Sequence, residues 1–156
     1  MQFRDLKAQY QALKPEIDEA MSKVITDCNF ISGAQVSELE KNLADYVGVK
    51  HCISCGNGTD ALTMMMMAWG IKEGDAVFVP DFTFFASGEI VSFEGATPVF
   101  YDVCEDTFNA DVVSLEKAIQ AVIDEGKLNP KVIISVDLFG LPANYPEIES
   151  CLLYTS

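Results

Sequence analysis

The chain has 156 residues, 49% of them hydrophobic and 22% charged, which is enough for one domain with a packed core and ordinary for a soluble globular fold. Ten Lys plus Arg against 24 Asp plus Glu leave a net charge of −14, which argues against a nucleic-acid partner, since that binding depends on clustered basic residues. Arg4, Asp5, Glu16, Asp18 and Glu19 argue against a signal peptide, and the apolar run Ala61 to Gly70 is too short to cross a bilayer, so no membrane partner and a cytoplasmic location are expected.

In chain order, Pro15 suits the first turn of a helix whose apolar face is Ile17, Met21, Val24, Ile25 and Cys28. A second helix, from about Gln35 to Val47, should bury Val36, Leu39, Leu43 and Val47 and end at Gly48. The pattern then alternates. Strand His51–Cys55 leads to helix Thr59–Trp69, strand Ala76–Val79 ends at Pro80, and Phe84–Phe93 reads as a helix. Strand Val99–Asp102 precedes a helix capped by Asp111 and carrying Leu115, Ala118, Ile119, Val122 and Ile123. Strand Lys131–Asp137 follows, then a loop and a further helix near Tyr145. Such alternation implies an α/β fold with a mostly parallel sheet covered by helices, whose ligands bind beyond the carboxyl ends of the strands. Met64–Met67 are expected to pack on both sides of their helix, because successive helical residues point in different directions. Cys52 and Cys55 form a lone C-x-x-C with no second pair, so they read as reduced thiols in a buried strand, and His51 as a strand-start residue.

The run Cys55-Gly56-Asn57-Gly58-Thr59-Asp60-Ala61-Leu62 carries the most chemistry. Two glycines permit a sharp turn and close approach of a ligand. The amides opening the helix, around Thr59 and Asp60, lack intrahelical acceptors and lie at the positive end of its dipole. With the Thr59 hydroxyl they can make a phosphate-sized anion site, although the octapeptide taken alone better fits a plain connection in which Asp60 merely starts a helix.

Further motifs follow in order. Gly58-Thr59-Asp60-Ala61-Leu62, Val79-Pro80-Asp81-Phe82-Thr83-Phe84-Phe85-Ala86, Gly95-Ala96-Thr97-Pro98-Val99-Phe100-Tyr101-Asp102 and Val136-Asp137-Leu138-Phe139-Gly140 resemble segments of the DegT/StrS sugar aminotransferases, which use pyridoxal 5'-phosphate. Phe3-Arg4-Asp5-Leu6-Lys7 and Ile31-Ser32-Gly33 resemble that family's opening, so the likeness runs from about residue 2 to 149. It implies the large domain of a fold type I aminotransferase. It also implies that Gly58, Thr59 and Asp60 hold the cofactor phosphate and that Phe84 lies on the ring face; by itself Phe84 would also read as a core aromatic beside Phe82 and Phe85.

The same likeness implies a nucleotide-sugar substrate, closest to UDP-linked 3-keto sugars, glutamate as amino donor, and a homodimer. Two family groups have no match here: the carboxylate that meets the ring nitrogen and the lysine that bonds the aldehyde. Lys131 precedes the Gly140 loop and does not fit the lysine motif, and Asp137 falls at a variable position, so no catalytic residue is assigned within this chain. Residues 1–149 are expected to be an N-terminal segment plus part of the cofactor-binding domain, and 150–156 a non-native tail. Two other functions remain open: a dehydratase of deoxysugars, in which histidine replaces the lysine, and a non-catalytic module that binds a phosphate ligand or a partner.

Overall fold

A computed structural model describes residues 4–152, so Phe3 of the opening motif and residues 153–156 of the expected tail lie outside the described residues. The chain divides after Ser54 into two units.

The first unit holds α1 (Leu6–Asp27) and α2 (Ala34–Val47). The Asp5 carboxylate starts α1 by accepting the Ala8 N–H at 2.9 Å. Pro15 therefore sits inside this helix and not in its first turn, leaving the Gln11 carbonyl without its helical donor on an exposed stretch. No side chain of α1 is buried, and in α2 only Ala44 is. Val36, Leu39, Leu43 and Val47, expected inside, are exposed. Gly48 ends α2 in the left-handed region (φ 79°), donating its N–H to the Ala44 carbonyl at 2.9 Å.

The expected strand His51–Cys55 does not form. Ser54 gives both its N–H and its hydroxyl to the Glu40 carboxylate at 2.8 Å, so a side chain takes the donor that a ladder would need. Those two bonds hold the Glu40 carboxyl below its usual pKa. Cys55 is exposed and Cys52 only half-buried, against the expectation of a buried strand.

The second unit holds α3 (Gly58–Ala68), β1 (Asp75–Pro80), α4 (Ala86–Phe93), β2 (Thr97–Tyr101), α5 (Val112–Glu125), β3 (Asn129–Ile133), a 3-10 turn (Leu138–Gly140) and α6 (Tyr145–Leu152). The three strands are parallel in the order β2-β1-β3. All six residues of β1 are buried because helices cover both its faces. Ala76 and Phe78 pack with Leu115, Ile119 and Val122 of α5 and Ile148 and Cys151 of α6. Val77 and Val79 pack with Met66, Ile71, Ile90 and Val91, on the side of α3 and α4. The period-two alternation of one strand thus assembles two cores.

Asp111 caps α5, its Oδ1 accepting the Val113 and Ser114 N–H groups at 2.9 and 3.2 Å. β3 starts and ends earlier than its apolar run suggests. Ile134 still donates its N–H to the Phe78 carbonyl at 2.8 Å, but its own carbonyl accepts the Tyr101 hydroxyl at 2.6 Å, and regular pairing stops. Of the four methionines in α3 only Met66 is buried; Met64, Met65 and Met67 are exposed, so the helix is covered on one side. Among the described residues no helix is long and apolar enough to cross a membrane.

Candidate functional site at the glycine turn and the sheet rim

Gly56 to Asp60 form the first feature. Asn57 has extended backbone and caps α3: its Oδ1 accepts the Asp60 N–H at 2.9 Å, and its carbonyl accepts the Ala61 N–H at 3.1 Å. Its Nδ2 donates to the Asp60 carboxylate at 3.0 Å. Gly58 and Thr59 hold the remaining amides of the first turn, and these have no acceptor among the described residues. A Cβ added at Gly58 would meet no atom within 4 Å apart from its chain neighbours and its own helix backbone, so that side of the turn is open to a ligand. Thr59 is half-buried; its carbonyl accepts the Thr63 hydroxyl at 2.9 Å, and its own hydroxyl has no hydrogen-bond partner among the described residues. Of the three predicted phosphate residues, two present free amides, while the third gives its amide to Asn57.

The second feature is the carboxyl rim of the sheet. Asp81 leaves β1 and is anchored by its N–H to the Tyr101 carbonyl at 2.9 Å. The Thr83 and Ser87 hydroxyls lie 3.0 Å apart, and the Ser87 N–H donates to the Phe84 carbonyl at 3.0 Å. This turn occupies Phe84 and Phe85, so α4 begins at Ala86, two residues later than predicted. Phe84 is 77% exposed, which rules out a core aromatic within this chain. With Pro80, Thr83, Phe85, Pro98 and Phe100 it lines an open pocket of about 260 Å³. Gly58, Thr59 and Asp60 are not in that lining, although α3 packs against α4, the helix that Phe84 precedes.

Sequence reasoning missed the groups that shape the rest of the rim. Asn109 is buried, donates Nδ2 to the carbonyls of Leu141 and Pro142 at 3.0 and 3.2 Å, and accepts the Leu138 N–H at 3.1 Å. It thereby ties the loop after β2 to the loop after β3. Phe108 lies between Phe82 and Phe139, with ring centroids 5.5 and 6.2 Å away. Phe108 and Phe139 both have positive φ (58° and 55°), a rare state for so bulky a residue. Asp137 Oδ1 accepts the Ala143 N–H at 2.9 Å and the Tyr145 hydroxyl at 2.8 Å, which holds its carboxyl below the usual range and raises the Tyr145 pKa. Nothing in sequence spacing marks Asn109. Sequence reasoning also missed Asn57 as the cap of α3, for which the residue type alone, Asn just before a helix, was the available signal.

The model of the DegT/DnrJ/EryC1/StrS aminotransferase family matches residues 11–152. A UDP-2-acetamido-2-deoxy-3-oxo-D-glucuronate aminotransferase of Pseudomonas aeruginosa is 42% identical over 150 residues, 96% of this chain and 40% of that protein. A DegT DnrJ EryC1 StrS aminotransferase from Brucella abortus, known as a crystal structure, superposes with a TM-score of 0.95 at 50% identity, over 99% of this chain and 42% of that one. The E. coli GDP-4-keto-6-deoxy-D-mannose-3-dehydratase, solved with bound hydrated PLP, is similar with a TM-score of 0.75 at 25% identity, over 86% of this chain and 34% of that one. The chain spans about two-fifths of the length of the aminotransferases it matches.

Proposed function

The chain belongs to the DegT/DnrJ/EryC1/StrS aminotransferase family, and from that membership we propose that it forms the amino-terminal part of a transaminase that uses pyridoxal 5'-phosphate and acts on a nucleotide-linked keto-sugar. A UDP-linked 3-keto sugar is the favoured acceptor, after the 42% identical relative, and glutamate the favoured donor. The observation that carries this reading is the start of α3, where the Gly58 and Thr59 amides have no acceptor among the described residues and a Cβ at Gly58 would stand in open space. That donor set fits a phosphate and needs no lysine.

Each residue of this chain has a distinct task in the proposal. The Gly58 and Thr59 N–H groups and the Thr59 hydroxyl bind the phosphate, helped by the positive end of the α3 dipole. Asp60 and Asn57 close the turn that aims those donors. Phe84, already exposed beside β1, offers its face to the cofactor ring and excludes water from one side. The bound cofactor supplies the electron sink for amino transfer. We place the ring-nitrogen carboxylate and the lysine outside these 156 residues, since none of them matches the motifs, and we take the chain alone to be inactive. The working enzyme is a cytoplasmic homodimer in this proposal.

Titrating the apo form of the full-length protein with pyridoxal phosphate tests the site. Thr59→Val should weaken affinity by about ten- to a hundredfold, because a hydrogen bond to a charged group contributes roughly 1.5–3 kcal/mol. Phe84→Ala should weaken it without abolishing phosphate binding. Folded variants that bind as tightly as wild type would show the pocket to be elsewhere. Formation of 2-oxoglutarate from glutamate with a UDP-3-keto sugar tests the reaction. Loss of the sugar hydroxyl without amino transfer would instead favour the dehydratase.

A further inference from the structure

The two glycines of the turn are not equivalent. A Cβ at Gly58 would stand in open space, but a Cβ at Gly56 would lie 2.9 Å from Oδ2 of Asp60. That same oxygen accepts a hydrogen bond from Asn57 Nδ2 at 3.0 Å. The carboxylate is therefore folded back over Gly56, under the Asn57 amide, and the space above Gly58 stays clear.

We infer that Gly56 and Asn57 are positioning residues that hold the Asp60 carboxylate away from the amides of Gly58 and Thr59, so that a phosphate meets no like charge there. This rests on the cofactor reading of the site. A carboxylate in the first turn of a helix and a bound phosphate compete for the same positive end. Left unrestrained, the Asp60 side chain could swing over the free amides and act as an internal anion. Gly56 leaves the room into which it folds, and Asn57 supplies the donor that keeps it there.

The inference predicts a pattern across three variants. Gly56→Ala must displace the carboxylate, and does so at little cost to the fold because the atom it meets is the end of a movable side chain. Its affinity for pyridoxal phosphate should fall roughly three- to tenfold, the effect of one added like charge in a partly screened site. Asp60→Asn removes the charge and serves as the background for the third variant. Adding Gly56→Ala to that background should change the affinity by less than about twofold, because no charge is left to displace.

Calorimetric titration of the full-length apoprotein at low ionic strength reads these affinities, with inorganic phosphate as competitor to report the phosphate site alone and circular dichroism to report folding. A folded Gly56→Ala variant that binds like wild type overturns the inference. So does a double variant that falls below Asp60→Asn by as much as Gly56→Ala falls below wild type. Absence of saturable binding by wild type would overturn the cofactor reading itself, and this inference with it.

Discussion

In α1 the apolar residues Ile17, Met21, Val24 and Ile25 recur at helical spacing, yet none is buried, whereas every residue of β1 is. Both segments carry the hydrophobic pattern of an element that faces a core. The difference lies in what stands opposite. β1 has a strand on each side and helices over each face, so its side chains leave water completely; the stripe on α1 borders an open apolar groove with Phe30. An amphipathic pattern states which face can be buried, and only partners decide whether it is.

Truncating the centre of the sheet should break this contrast most visibly. Phe78, 1% exposed, touches the α5 and α6 core, and Phe78→Ala should cost about 3–5 kcal/mol in chemical denaturation. Asn109→Ala comes next. It leaves the Leu138 N–H and two carbonyls without their partner, which should cost about 1–3 kcal/mol and loosen the 138–142 loop in hydrogen exchange.

Asp137→Asn should have a smaller effect that depends on pH. Because the Asp137 carboxyl has a lowered pKa in the folded state, its contribution is present above the ordinary carboxylate pKa and is lost as pH falls through the folded value. The stability gap between wild type and variant should therefore be widest near neutrality and close below about pH 4. A gap that widens in acid would contradict the assigned hydrogen bonds. Met21→Ala should be the least disruptive, within about 0.5 kcal/mol, as expected of an exposed side chain. A loss comparable to that of Phe78→Ala would mean that the α1 stripe is covered in solution.

Local chemistry in the sequence was enough to locate the caps at Asp111 and Gly48 and the glycine turn, though not Asp5 or Asn57. Asp111 and Gly48 act through neighbours within a few residues, so their roles survive whatever surrounds them. The same holds for the start of α3, where free amides follow from helix geometry alone. The alternation of strand and helix also implied the parallel sheet that β1, β2 and β3 form.

Long-range pairing decided the rest. Residues 51–55 read as a strand, but a strand exists only through a neighbour, and Glu40 takes the Ser54 donor instead. Met64–Met67 are alike in sequence, and only the position of the sheet selects Met66 for burial. Asn109 bridges loops about thirty residues apart, a relation no local window contains. Which way the Asp60 carboxylate turns, and hence what separates Gly56 from Gly58, became visible only from the space each glycine leaves empty. Periodicity and capping are properties of short segments and can be read from them; burial and side-chain direction depend on atoms brought together from distant parts of the chain.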